Sequence, residues 1–190
     1  MSTIQLDHIR EVKKTATCLH DHEAVASAFD RMAAAIAREL SDKNPLIVSL
    51  MNGGMIATSE LLLRLDFVCQ VDFIHASRYR EKTAGGSRLN WLVKPHQLLK
   101  DRHVLLVDDI LDEGMTLYEV MQFCKREGAK QVYTAVLADK KHDRRTPEGF
   151  KADFTGLEID DRYVFGCGMD YRGYLRNVNG IYAVGEHLLK

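Results

Sequence analysis

Apolar residues recur at three- and four-residue spacing through Val25, Phe29, Met32, Ile36 and Leu40, with polar residues between them. The pattern predicts an amphipathic helix that ends near Asp42 to Pro45. The period then changes. Leu46-Ile47-Val48-Ser49-Leu50 is a short, nearly continuous apolar run and predicts a buried strand, after which Gly53-Gly54 leads into an apolar helix over residues 55–65. Further strands are predicted over residues 67–76, 103–107 and 131–137, and a helix over residues 116–127 is stopped by Gly128, a favourable residue just past a helix end. Strands that stay apolar along their length and alternate with helices predict an α/β fold, a Rossmann-like central parallel sheet flanked by helices. Right-handed crossovers would then put ligands at the carboxyl ends of the strands.

Composition narrows this to one soluble-type domain. A chain of 190 residues with 46% hydrophobic side chains can bury a full core and sits at the upper end of single-domain size. With 26 basic and 27 acidic side chains the net charge is −1, which removes any general attraction to nucleic acid or to an anionic membrane. The cysteines Cys18, Cys69, Cys124 and Cys167 lie far apart and show no metal-ligand spacing, so free thiols in a reducing compartment are expected. The first residues carry neither a basic segment nor an apolar stretch, and no run approaches membrane-spanning length; a cytoplasmic location with no membrane partner is the expectation.

Three loops at predicted strand ends carry candidate chemistry. In the run His103-Val104-Leu105-Leu106-Val107-Asp108-Asp109-Ile110-Leu111-Asp112-Glu113-Gly114-Met115-Thr116-Leu117, an apolar strand ends in two adjacent acids, and an acidic loop with one glycine then opens a helix. Gly114 can take a positive φ that lets backbone N–H groups converge, and the Thr116 hydroxyl and the helix N-terminus add donors for an anion. Asp108 and Asp109 would suit ribose hydroxyls or the water shell of Mg²⁺. The plain alternative is a strand followed by a solvated acidic loop.

The second loop is Leu50-Met51-Asn52-Gly53-Gly54, where two glycines permit close backbone approach beside a helix N-terminus; taken alone, the glycine pair reads first as an ordinary strand-to-helix turn. Residues 77–91 form a polar, glycine-bearing stretch with several basic side chains, including Arg78 beside Tyr79, readable as a mobile lid or as a solvated hairpin. The third candidate lies near the C-terminus, where Lys140 ends a strand and Tyr163-Val164 and Asp170 follow a polar insertion. A lysine donor, an aromatic face and nearby backbone groups are what a purine requires, although a surface lysine and a core aromatic fit the same residues. His20 and His22 read as part of a solvated turn rather than as metal ligands.

Residues 104–117 resemble the phosphoribosyl-pyrophosphate (PRPP) signature of the type I phosphoribosyltransferases, and with the other two loops in family order the likeness extends over residues 46–184. Among that family the chain is similar to the bacterial hypoxanthine-guanine phosphoribosyltransferases. The resemblance implies one domain over residues 1–190, with a core at about 24–140 and a small hood from the N-terminal segment and about 141–190, together with the lid. It implies transfer of the 5-phosphoribosyl group of PRPP to N9 of hypoxanthine or guanine, with Mg²⁺ as cofactor, PRPP and a 6-oxopurine as partners and assembly as a homodimer or homotetramer.

Carried over residue by residue, the resemblance makes Asp112 the general base. Asp108, Asp109, Glu113, Gly114, Met115 and Thr116 serve, with Asp112, the ribose and 5′-phosphate. Met51, Asn52, Gly53 and Gly54, by way of a cis peptide at Met51-Asn52, join Arg78, Tyr79 and Arg176 at the pyrophosphate. Lys140 donates to the 6-oxo group, Tyr163 stacks on the ring, Val164 pairs through its backbone, and Asp170, at the edge of the purine site, ligates Mg²⁺ along with Asp108 and Asp109. Lys140 rather than Lys141 takes the purine role. Two positions depart from the family: Asn52 stands where many members have a basic residue, and Arg78 stands where a serine is usual. Other readings are a xanthine-preferring transferase and a PRPP-sensing regulatory protein of the same fold, the latter expected to show a basic nucleic-acid face.

Overall fold

The computed structural model describes residues 6–78 and 89–189. Its centre is a six-stranded sheet in the order β4-β3-β2-β5-β6-β7. The strands are β2 (Leu46–Met51), β3 (Gln70–Arg78), β4 (Leu89–Val93), β5 (His103–Leu111), β6 (Gln131–Lys141) and β7 (Phe154–Asp160). All neighbours run parallel except β4, which pairs antiparallel with β3 at one edge. A smaller antiparallel sheet joins β1 (Thr17–His20), β9 (Ile181–Ala183) and β8 (Val164–Phe165).

Period-two alternation along the central strands builds two apolar layers from one sheet. Ile47, Leu105, Val107 and Leu137 face one side and pack with Phe29, Ile36 and Leu40 of α2 (His22–Leu40) and Ala57 and Leu61 of α3 (Gly54–Leu62). Leu46, Val48, Val104, Leu106 and Val136 face the other side and meet Leu117, Val120 and Cys124 of α4 (Met115–Arg126). A third cluster lies under the small sheet, where Ile9 and Val12 of α1 (Leu6–Thr15) pack with Phe165, Tyr171 and Val184. Among the described residues no helix is long and apolar enough to cross a membrane.

Several boundaries differ from the sequence expectation, each for a packing reason. The helix expected from Val25 begins at His22, because the Asp21 carboxylate accepts from the Ala24 N–H at 2.9 Å and caps it. The strand expected to end at Val107 continues through both acids to Leu111, since β6 keeps pairing with it as far as Leu111 and Asp139. Likewise β6 extends to Lys141, which puts Lys140 inside a strand rather than at its end. The stretch taken for a polar insertion contains β7, an edge strand in which only Ile159 is buried and whose apolar signal is correspondingly weak. Of the expected lid, residues 79–88 lie outside the described residues, Tyr79 among them; Ser77 and Arg78 continue β3 and pair with Asn90 and Leu89 of β4.

Candidate active site

Chain order along the sheet reverses between β2 and β5, since β3 lies beyond β2 on one side and β6 beyond β5 on the other. Such a switch point is where open α/β sheets hold ligands. Here β2 and β5 are paired only as far as Ser49 and Val107, while β2 stays on β3 to Met51 and β5 stays on β6 to Leu111. Beyond Val107 the two central strands part, and Asp108 and Asp109 stand at the opening.

Burial is the main influence on these acids and pushes both carboxyls above their ordinary range. Asp108 lies well above it, with the neighbouring Asp109 charge adding to the effect, and the Arg176 guanidinium draws both back down. The Asp109 N–H donates to Asp108 Oδ1 at 2.9 Å, which fixes the first carboxylate against its own backbone.

The glycines of the facing loop are required by this close approach. A side chain at Gly53 would run into the Asp109 carboxylate, and one at Gly54 into the carbonyl of Val107. Gly53 caps α3, Gly54 is its first residue, and the Met51–Asn52 peptide before them is cis. From the small sheet, a side chain at Gly168 would strike the carbonyl of Gly53. Three segments thus touch one another around Asp109.

On the far side of β5, Gly114 takes φ 86° and caps α4, so the chain turns sharply and aims the helix N-terminus at the loop. A hollow of about 330 Å³ lies there, lined by residues 108–114 with Thr116 and Leu117. Met115, the first residue of α4, is not among its walls.

A second cleft of about 390 Å³ adjoins the first and shares Asp108, Asp109, Ile110 and Asp112 with it. Met51, Asn52 and Gly53 form one wall, and Tyr163, Val164, Asp170 and Arg176 come from the small-sheet side. Tyr163 is 43% exposed at the cleft, and its ring and that of Tyr171 lie nearly perpendicular with centres 5.5 Å apart. Arg176 donates to Asp170 Oδ1 and to the Gly168 carbonyl, both at 2.6 Å, and lies 3.8 Å from Asp109. Gly54 sits behind the cleft rather than in its wall, because its Cα is pressed against β5.

Asp112 lies between the two hollows. Lys140, buried on β6, donates to Asp112 Oδ2 at 2.6 Å, and His142 Nε2 donates to Oδ1 at 2.7 Å. Burial raises the Asp112 carboxyl, but the Lys140 ammonium and then His142 outweigh it and hold the group below the usual carboxylate range. Arg145 clamps the main chain beneath, donating to the carbonyls of Leu111 at 3.0 Å and Asp112 at 2.7 Å and pairing with Asp139. The Thr146 N–H adds a bond to the Glu113 carbonyl at 2.8 Å.

The structure therefore gathers Met51, Asn52, Gly53, Asp108, Asp109, Asp112, Glu113, Gly114, Thr116, Lys140, Tyr163, Val164, Asp170 and Arg176 around one pair of hollows. Gly54 and Met115 stand behind, Tyr79 lies outside the described residues, and for Arg78 only the backbone is described. Sequence reasoning missed His142 and Arg145, which sit in a run of charges, Lys140-Lys141-His142-Asp143-Arg144-Arg145, that reads as solvated. No local period marks them; their position directly after the lysine strand is the one signal available.

Residues 15–172 match the model of the phosphoribosyl transferase domain family. The chain is 31% identical over 178 residues to a hypoxanthine-guanine phosphoribosyltransferase of Streptococcus pneumoniae, covering 94% of this chain and 96% of that one. It is 27% identical over 161 residues to a hypoxanthine-guanine-xanthine phosphoribosyltransferase of Tritrichomonas foetus, covering 84% and 86%. A crystal structure of a hypoxanthine phosphoribosyltransferase from Staphylococcus aureus superposes with a TM-score of 0.86 at 22% identity, over 99% of this chain and 100% of that one, and shares its fold.

Proposed function

The chain belongs to the phosphoribosyltransferase family, and from that premise we propose that it moves the 5-phosphoribosyl group of PRPP to N9 of hypoxanthine or guanine, releasing pyrophosphate. The observation that carries this reading is the contact of a buried lysine with an aspartate at the junction of two hollows, one at a helix N-terminus and one beneath an exposed aromatic face.

The hollow at α4 suits the 5′-phosphate, where Gly114, the Thr116 hydroxyl and the helix N-terminus offer donors to an anion. Asp108 and Asp109 face the ribose hydroxyls. The loop of Asn52 and Gly53, with Arg176 opposite, receives the pyrophosphate, and Arg78 is the further residue proposed to serve it. In the second cleft the purine stacks on Tyr163 and its edge meets the Val164 backbone. Lys140 exchanges Asp112 for the 6-oxo oxygen, which frees Asp112 Oδ2 to accept the proton the base loses as N9 bonds to C1 of the ribose. The C1–oxygen bond to pyrophosphate breaks as the new bond forms, and the bond electrons leave with pyrophosphate. The carboxylate is ionised while Lys140 and His142 hold it below its ordinary range, and departure of the Lys140 ammonium removes the larger of those two influences and leaves Oδ2 more basic.

Burial raises the Asp108 and Asp109 carboxyls and a cation would favour their ionised forms, so these two, with Asp170 lining the same cleft, are the residues that would hold Mg²⁺. An ion carried in on substrate phosphates would need only one or two of these carboxylates. When bound, Mg²⁺ would neutralise the leaving pyrophosphate. Four free cysteines accord with a cytoplasmic setting, and a homodimer or homotetramer is the assembly proposed, testable by light scattering in solution.

A spectrophotometric assay with PRPP, Mg²⁺ and each of hypoxanthine, guanine, xanthine and adenine tests the reading. Hypoxanthine and guanine should turn over. Adenine should not, because its amino group cannot accept from Lys140, which then stays on Asp112 Oδ2 and keeps that oxygen from taking the proton of the base. Similarity to a relative named for xanthine as well keeps that base as the second candidate substrate, and the same assay decides it. Comparable turnover of adenine, or none of any oxopurine, refutes the proposal.

A further inference from the structure

Resting on the transferase reading above, we propose that His142 is a positioning residue for Asp112, holding one carboxylate oxygen while the other exchanges Lys140 for the proton of the base. The His142 side chain is 4% exposed, and its Nε2 lies 2.7 Å from Asp112 Oδ1. The Arg144 N–H donates to the other ring nitrogen, Nδ1, at 3.0 Å. A nitrogen that accepts from an amide carries no proton, so the neutral ring is the Nε2–H tautomer and its proton points at Asp112. A buried ring with both nitrogens engaged has one orientation.

The loop that presents the ring is itself fixed. Arg144 forms a two-pronged pair with Asp161, at 2.6 and 2.8 Å, and Arg145 ties the carbonyls of Leu111 and Asp112 to the Lys140 carbonyl and Asp139. His142 and Asp112 are thus mounted on one braced unit, whereas the Lys140 ammonium ends a flexible side chain. Among the described residues, one side-chain donor reaches each Asp112 oxygen within hydrogen-bond distance. When the ammonium turns to a substrate oxygen, a carboxylate held by nothing else would rotate after it or swing towards Arg144, whose guanidinium is 3.9 Å from Oδ1. The His142 N–H prevents both movements. Oδ2 is then presented at a set angle to the base, accepts its proton, and Oδ1 keeps its donor throughout. No charge is created on His142 in this step.

Removing the His142 bond should also let the Asp112 carboxyl rise, since that bond is one of the influences keeping it low. The remaining groups facing it are Lys140 from β6 and Arg144 from the following loop, with Arg145 beneath at the main chain. Beyond these, Asp139 is paired with Arg145 and Asp161 with Arg144, Asp108 and Asp109 stand upstream on β5, and the Asp170–Arg176 pair lies across the cleft. None of them replaces a donor at Oδ1.

The test compares His142→Ala and His142→Gln with the unaltered enzyme, using hypoxanthine, PRPP and Mg²⁺. His142→Ala should lower kcat by on the order of tenfold to a hundredfold, the worth of one hydrogen bond to a charged group, with KM for PRPP nearly unchanged. The acid limb of kcat/KM against pH should move upward. His142→Gln, whose amide nitrogen can reach the position of Nε2, should recover most of the rate and return the limb. Nitrogen-15 spectra of the free protein at mildly alkaline pH should show the His142 ring as the Nε2–H tautomer. An unaltered kcat and acid limb in His142→Ala, equal losses in Ala and Gln, or the Nδ1–H tautomer would each overturn the positioning role while the transferase reading stands. Absence of turnover by the unaltered enzyme would instead overturn the transferase reading, and this proposal with it.

Discussion

Replacing Asp112 with Asn separates chemistry from architecture at this site. The carboxylate accepts from Lys140 at 2.6 Å and from His142 at 2.7 Å, and an amide can satisfy only one of them, because its nitrogen is itself a donor. Lys140, 8% exposed, would be left with a donor opposite it or would turn into the cleft. Two hydrogen bonds to a charged group come to about 3–6 kcal/mol before solvent is considered. The Asp112 side chain is 43% exposed and the cleft lets water take its place, so about 1–2 kcal/mol of net destabilisation is expected. The sign with pH follows from the lowered carboxyl. The native state binds the Asp112 proton less readily than the unfolded chain, so the stability it contributes is fully present above the ordinary carboxylate pKa of about 4. It is lost as the pH falls through the lower native value. Urea melts of the two proteins over a pH series should therefore differ at neutral pH and converge in acid.

The chemical loss should be larger than the stability loss. Removing a positioned proton acceptor lowers kcat by about 10²–10⁴, equivalent to about 3–5 kcal/mol of the barrier. PRPP affinity should hold within about twofold, because the proposed 5′-phosphate donors, Gly114, Thr116 and the helix N-terminus, are untouched. Initial rates against each substrate, with PRPP binding by calorimetry, read both quantities. An unchanged kcat refutes Asp112 as the base. A weakened PRPP affinity with kcat preserved makes it a binding residue instead.

Two further substitutions test the frame around the cleft. Leu105→Ala, at a fully buried position between β5 and the α2–α3 layer, should cost about 2–5 kcal/mol in denaturant melts while leaving KM values close to normal; a cost under about 1 kcal/mol would mean the layer repacks freely. Gly54→Ala places a methyl against the Val107 carbonyl and 3.1 Å from the Asp108 Cα, both main-chain atoms that cannot step aside, so the strands must separate. KM for PRPP should rise several-fold with a stability loss of about 1–3 kcal/mol, and normal kinetics would show that the contact between the glycine loop and β5 has no bearing on the pyrophosphate.

Much of this was legible because the decisive residues are consecutive. Asp108, Asp109, Asp112, Gly114 and Thr116 occupy one strand end and one turn, where chain geometry alone puts them within reach of a single ligand, and the Leu105–Leu106 alternation fixes which layer each strand residue joins. Gly114 was readable for the stated reason, a positive φ. Gly53 and Gly54 were readable as glycines in a close-approach loop, but what they approach first is β5: both have negative-φ surroundings suited to any residue, and only the neighbouring strand forbids a side chain. That fact depends on where β2 and β5 part, which no local pattern encodes.

The same limit explains why the sequence, through its family resemblance, points to Asp112 as a candidate base but not to the partners that hold it. Its two donors come from 28 and 30 residues further along, on a strand and on a loop whose charges are indistinguishable from solvated ones until Arg145 is seen holding the Asp112 carbonyl. Of the charges in that run, Lys141 and Arg144 pair outward with Glu158 and Asp161, while Lys140, His142 and Arg145 turn inward. Strand alternation accounts for Lys140 and Lys141 taking opposite sides. It cannot account for His142, which lies past the strand end and is buried only because the loop folds back over the acidic turn. A polar side chain that lies beyond a strand's last residue is therefore the one whose direction must come from tertiary structure, and here it is the group proposed to orient the base.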